Sequence, residues 1–242
     1  MNIQIVVAHP DDETIMCGAT IDKLIHAHHH VHVTFCTLND QAYFNSETQS
    51  HRKARAKKEA MLSSRKLGYT VSFLGYKDME VEHNKGLLMQ DIIREIRKMK
   101  PDIIITHHQS DKHIDHRTVG EIVPEANFQS GCNLCGGKKT WRAHAVLQGE
   151  IDLEMTSAFI FDTVSAVTKN NIDQKMQAFQ CYASVDAEHK TEANWLIHKC
   201  TFVAALRGRS IGTHYGEAFI INNYNPLDHE AVQLIGEVIK ER

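Results

Sequence analysis

Two short stretches of this chain hold residues whose types and spacing suit hydrolytic chemistry. The first is His9-Pro10-Asp11-Asp12-Glu13. A histidine and neighbouring carboxylates supply both metal donors and a base, and a proline-containing turn can gather them on one side. The same acids also suit a helix N-terminus, where they offset the dipole and cap free N–H groups. The second stretch is Asp111-Lys112-His113-Ile114-Asp115-His116-Arg117. A three-residue step brings the imidazoles of His113 and His116 near one point. A polar loop with capping residues is the competing reading there, since His107 and His108 show how common histidine is in this region. Imidazole and carboxylate donors without thiolate suit a catalytic zinc with three protein ligands and a place for water.

The elements around these motifs alternate. Ile3 to Val7 reads as a buried strand, followed by a helical pattern at Ile21, Leu24, Ile25 and His28. Val31 to Cys36 is a second strand. A helix over His51 to Leu67 ends at Gly68, a residue suited to a C-terminal cap. Val71 to Leu74 and Ile103 to Thr106 are further strands, separated by a helix with Met89, Ile92, Ile96 and Met99 on one face. This order predicts an α/β fold: a Rossmann-like, doubly wound, mostly parallel sheet with helices on both faces. With strand order 3-2-1-4, the helices after strands 1 and 4 leave to opposite faces and open a crevice at the carboxyl ends of both strands. The two motifs fall at those two ends. The chain lacks the glycine-rich phosphate loop after strand 1, which argues against dinucleotide binding.

Past residue 120 the pattern loosens. Ala145 to Leu147, Ala158 to Phe161 and Ala218 to Ile221 read as strands. Ile172 to Tyr182, Ala193 to Leu206 and Asp228 to Glu241 read as helices. We read residues 1–242 as one continuous domain with a more variable C-terminal half.

Composition narrows the function classes. Against 27 Lys and Arg stand 30 Asp and Glu, a net charge of −3, which offers no general attraction for nucleic acid or an anionic membrane. The basic run from His51 to Lys66 reads as a solvated helix face. No stretch is apolar enough to insert in a membrane, and the N-terminus does not read as a secretion signal. The six cysteines show no disulfide framework, so a cytoplasmic setting is expected. Cys132-x-x-Cys135 is half of a zinc knuckle without a second CxxC and reads as a glycine-rich turn.

Ala8-His9-Pro10-Asp11-Asp12-Glu13 after the first strand, with Asp111-x-His113-x-Asp115-His116-Arg117 after the fourth, resembles the LmbE-like/PIG-L family of zinc-dependent N-acetylglucosamine deacetylases. Lys175-Met176-Gln177-Ala178-Phe179 with Tyr182-Ala183-Ser184, and Arg207-Gly208 with Tyr215-Gly216-Glu217-Ala218-Phe219, resemble its later segments. The sequence departs at Ile114, where the family commonly has proline, and at Cys17-Gly18, where many members have paired glycines. The resemblance implies His9, Asp12 and His116 as ligands of one zinc per chain and Asp11 as general base. It implies His113 as oxyanion donor or leaving-group acid, and Asp115 as the group that orients an imidazole. It further implies a substrate-binding arginine on the second helix, Arg52 or Arg55, and offers Tyr215 for the pocket. A small amino-sugar conjugate is the implied substrate, and a homo-oligomer is compatible. A same-family amidase acting on a thiol-sugar conjugate and a non-catalytic metal-binding protein are the alternatives.

Overall fold

The computed structural model describes all residues except 42–47, 136–138, 157–158, 183–192, 225 and 241–242, and leaves out the side chains of 193–197. Ala183, Ser184 and Ala158 of the expectations above therefore lie outside the described residues. Seven strands form one sheet in the order β3-β2-β1-β4-β5-β7-β6. They are β1 (Asn2–Val7), β2 (His30–Thr37), β3 (Thr70–Tyr76), β4 (Ile103–His107), β5 (Ala145–Gly149), β6 (Thr163–Val167) and β7 (Tyr215–Ile221). The strands β3-β2-β1-β4-β5 pair in parallel, with Ile5 opposite Val33 on one side and Ile105 on the other. β7 runs antiparallel to both β5 and β6. The parallel half and its order match the sequence expectation; the antiparallel strand lies in the half where the pattern loosened.

Successive side chains on a strand face opposite ways, so a strand covered on both faces is apolar throughout. Ile3, Ile5 and Val7 of β1 pack with α1 (Asp12–His26), α2 (Gln49–Leu67), α5 (Lys169–Phe179) and α7 (His229–Ile239). Val6 and Ala8 face α3 (Lys85–Met99) and α4 (Ile114–Ser130). A sixth helix, α6 (Ala193–Ser210), lies against β7. Helix ends follow local chemistry. Thr48 caps α2 by accepting from the His51 amide, and Gly68 closes that helix at φ +94°. Thr168 and Asn171 form a capping box on α5, and Asp228 caps α7.

The expected strand at Ala158 to Phe161 is corrected. Phe159 to Phe161 are not in a strand, and β6 starts at Thr163. Phe161 instead lies 4.8 Å from the Arg207 guanidinium, which grips both oxygens of Glu150 at 2.5 and 2.6 Å. An apolar run there serves a stacking contact on the surface, not sheet pairing.

Helix α1 is broken at Cys17, which takes φ −146° and ψ 26°. The break strands the Ile15 carbonyl and the amides of Ala19 and Thr20. Lys175 donates to the Ile15 carbonyl at 2.8 Å, and the Glu217 carboxylate accepts from the two amides at 3.2 and 2.7 Å. Lys175 and Glu217 also pair with each other at 2.7 Å, fully inside the protein. Both belong to the later sequence segments noted above, which gives those segments a physical reason: they cap the break.

Gly208 has a similar reason. A Cβ there would sit 2.5–2.6 Å from backbone atoms of Tyr215, so α6 can approach β7 only without a side chain. Gly208→Ala is expected to cost about 1–3 kcal/mol, the usual range for overpacking. A denaturation midpoint unchanged from the parent would refute that.

Candidate active site

The two motifs meet where the fold expectation placed them. β1 and β4 are hydrogen-bonded neighbours, and Val6 pairs with Thr106 one residue before each strand ends. α1 then leaves to one face and α4 to the other. His9, Asp12, Asp111, Asp115 and His116 are all buried in the crevice between them.

Each imidazole in this cluster has one nitrogen committed and one exposed to the cluster centre. His9 Nε2 lies 3.2 Å from Asp115 Oδ2, and its Nδ1 points at His116 Nε2 (3.1 Å) and Asp12 Oδ2 (3.2 Å). His116 Nδ1 lies 3.1 Å from Asp111 Oδ1, and its Nε2 faces Asp12 Oδ1 at 3.3 Å. Asp111 is held in turn by the Thr156 hydroxyl at 2.8 Å and the His113 amide at 2.9 Å. Asp115 accepts from the Met79 amide at 2.7 Å. Carboxylate–imidazole pairs of this kind fix ring orientation and tautomer in metal sites.

The atoms facing the centre sit 3.1–3.3 Å apart, with His9 Nδ1 meeting Asp12 through Oδ2 and His116 Nε2 meeting it through Oδ1. Among the described residues, two overlapping groups could hold a metal ion: His9, His113 and His116, or Asp12, His107 and His116.

The charge pattern favours a cation at this point. Burial would lower His9, but hydrogen bonds to Asp115 and Asp12 raise it well above its ordinary value. His116 is likewise raised to about 9 against burial, by Asp12 and Asp111. Burial would raise Asp12, but His116 and His107 hold it well below the usual carboxylate range. Where protons crowd onto imidazoles, a bound cation can replace them.

His113 behaves differently. It caps α4, and its Nδ1 accepts the Asp115 amide at 3.2 Å. Burial and the nearby His9 and His116 hold it down to about 4, so at neutral pH it is uncharged. With Nδ1 accepting, its proton sits on Nε2, which makes it a hydrogen-bond donor.

The three acids of the first motif have distinct surroundings. Asp12 accepts the His9 amide at 2.7 Å and faces the imidazoles. Glu13 is buried and accepts from hydroxyls of Thr14 (2.5 Å), Tyr182 (2.7 Å) and Tyr69 (2.8 Å). The Asp11 carboxylate has no hydrogen-bond partner among the described residues. Asp11 also holds φ +119°, a backbone region that non-glycine residues rarely enter and that clusters at functional sites. Burial and the adjacent Asp12 push its carboxyl well above the usual range.

Of the remaining expected residues, Arg52 is buried behind the turn. Its Nε donates to the Asn39 carbonyl at 3.0 Å, and Asn39 donates to the Pro10 carbonyl at 2.9 Å. Arg52 also pairs with Glu59 at 3.4 Å. Arg55 is half-buried with Glu59 at 3.7 Å. Tyr215 packs against the apolar cluster of Ala19, Val167, Ile172 and Ala204, and does not join the His/Asp cluster. Cys132 and Cys135 are free thiols and belong to neither of the two candidate metal-holding groups.

Sequence reasoning passed over His107. It is fully buried, stacks flat on His116 at 4.2 Å and accepts the Ala8 amide at 3.0 Å. Its position at the end of β4, beside the end of β1, was the available signal.

A family model described as PIG-L: GlcNAc-PI de-N-acetylase matches residues 4–127. Among solved structures, the chain is similar to N,N'-diacetylchitobiose deacetylase from Pyrococcus horikoshii, with TM-score 0.80, 21% identity and coverage of 94% of this chain and 87% of that one. It is also similar to the 4-carboxy-2-hydroxymuconate hydratase from Pseudomonas putida KT2440, with TM-score 0.78, 20% identity and coverage of 91% and 95%. A zinc-inhibited form of teicoplanin deacetylase matches with TM-score 0.73, 14% identity and coverage of 92% and 99%. These likenesses concern the fold. The family match takes in both motifs and more than half of the chain, and the chain belongs to the PIG-L family.

Proposed function

We propose that this protein is a zinc-dependent deacetylase that removes the acetyl group from a small N-acetylglucosamine-type sugar conjugate. The observation that carries the reading is the division of labour in the first motif. Asp12 and Glu13 are committed to partners, and Asp11 alone is held free, in a strained backbone, beside the His/Asp cluster. A protein that only stores metal has no use for that strain. Six free thiols are compatible with a reducing, cytoplasmic setting.

His9 through Nδ1, His116 through Nε2 and Asp12 are the residues that would hold the zinc. His113 and His107 fit less well, because each uses a ring lone pair to accept a backbone amide. Zinc, when bound, supplies the charge that acidifies water and polarises the acetamide carbonyl. Asp11 takes the proton as the water oxygen bonds to the carbonyl carbon. The Nε2–H of His113 donates to the oxygen of the tetrahedral adduct. As the C–N bond breaks, Asp11 returns the proton to the departing nitrogen and the adduct's remaining hydroxyl proton passes to the amine, leaving acetate and an ammonium group. Asp115 and Asp111 orient His9 and His116. Arg55 or Arg52 on α2 is the substrate-facing arginine, and Arg55 is the more exposed of the two.

Acetate release from a panel of N-acetylated amino sugars, with and without chelator, tests the activity. No release from any of them by zinc-loaded protein would sink it. His113→Ala is expected to keep zinc while kcat falls about 10²–10³-fold with KM little changed, since the lost contact forms mainly in the transition state. Loss of zinc in that variant would instead make His113 a ligand.

A further inference from the structure

The Glu13 carboxylate is a heavily committed buried acid that the proposed chemistry does not use. Its Oε1 accepts from Thr14, Tyr69 and Tyr182, with the Ser63 hydroxyl at 3.4 Å. Its Oε2 reaches back to the Asp11 amide at 3.1 Å. No lysine, arginine or histidine pairs with it among the described residues. A buried carboxylate satisfied only by neutral donors is costly, because no opposite charge offsets its desolvation. Burial raises its pKa accordingly. Stability alone would be served as well by an apolar residue of similar volume.

What Glu13 touches explains its presence. Asp11 sits at φ +119°, and its amide would otherwise lack a partner at the entrance to α1. The bond from that amide to Glu13 sets the peptide plane from which the Asp11 side chain projects. Glu13 is itself fixed from three directions: Ser63 on α2, Tyr69 just before β3 and Tyr182 beyond α5. Tyr69 also ties the arrangement together, lying 3.0 Å from the Ser63 hydroxyl.

We infer that Glu13 is a positioning residue that aims Asp11, and that Tyr69 and Tyr182 hold Glu13 in place for it. The inference rests on the reading of Asp11 as general base. A misplacement of about 1 Å in a catalytic group can cost about a hundred-fold in rate. A residue that acts through Asp11 must lose its effect once Asp11 cannot act.

The test is a double-mutant cycle on zinc-loaded protein, with Glu13→Gln, Asp11→Asn and both together. Glu13→Gln is expected to lower kcat about ten- to a hundred-fold at constant zinc content and near-constant KM. In the Asp11→Asn background the same change is expected to do nothing further. Equal losses in both backgrounds would overturn the inference, since Glu13 would then act independently of Asp11. If Asp11→Asn itself stays fully active, the general-base reading has failed, a separate result. Tyr182→Phe, which keeps the ring and removes one donor, guards against misfolding of the Glu13 variant. It should reproduce part of the loss in kcat, and an unchanged kcat would count against the proposal. The Asp11 amide proton gives a readout free of activity. Its NMR resonance should move upfield in Glu13→Gln as the bond to a carboxylate is lost, and an unmoved resonance would overturn the aiming role.

Discussion

Asp11→Asn is expected to lower kcat by about 10²–10⁴-fold, the range general base catalysis supplies, with fold and zinc content unchanged. Asparagine matches aspartate in shape but cannot take a proton from water. The structure favours a clean result. Asp11 makes no side-chain hydrogen bond among the described residues, and its backbone contacts to Thr14 and Ile15 survive the substitution. Steady-state kinetics and elemental analysis on one preparation decide the matter. Activity within a few-fold of the parent would remove Asp11 from the base role, and zinc loss would turn it into a ligand.

Asp12→Ala is expected to abolish tight zinc binding and reduce turnover to that of chelator-treated protein. Among the described residues, Asp12 is the one carboxylate that faces both His9 Nδ1 and His116 Nε2. It also ties the turn to itself by accepting the His9 amide. Losses of outer partners such as Asp115 or Asp111 typically weaken metal affinity by about 10–100-fold. The Asp12 variant should lose more than either Asp115→Asn or Asp111→Asn. Competition for zinc against a chromogenic chelator measures all three. An Asp12 variant that holds zinc as well as the Asp111 variant would invalidate the proposed ligand set.

The motifs were legible because their chemistry is local. Donors packed into His9–Glu13 and Asp111–His116 can be read without knowing the rest of the fold. The parallel half of the sheet was legible too, because strands buried on both faces are apolar throughout, as Ile3–Val7 and Ile103–Ile105 are. The C-terminal half obeys other rules. β6 carries Thr163 and Ser165, and Ser165 receives the Lys23 ammonium at 2.7 Å, so its pattern is less apolar than the Phe159–Phe161 run that lies outside the sheet. His107, Glu13 and Tyr182 were harder still. Each is defined by a partner that only tertiary structure brings near.

The break in α1 has a consequence for how the chain folds. The Ala19 and Thr20 amides are capped by Glu217, a residue 198 and 197 positions away along the chain. Contacts between such distant residues are slow to form, because the loop between them must close before they repay its entropy. The first helix after the first strand thus cannot take its final shape when it is made. Its two halves gain the Glu217 cap only once β7 has entered the sheet. A nascent chain carrying the whole N-terminal motif would still hold an uncapped first helix until its last strand arrives.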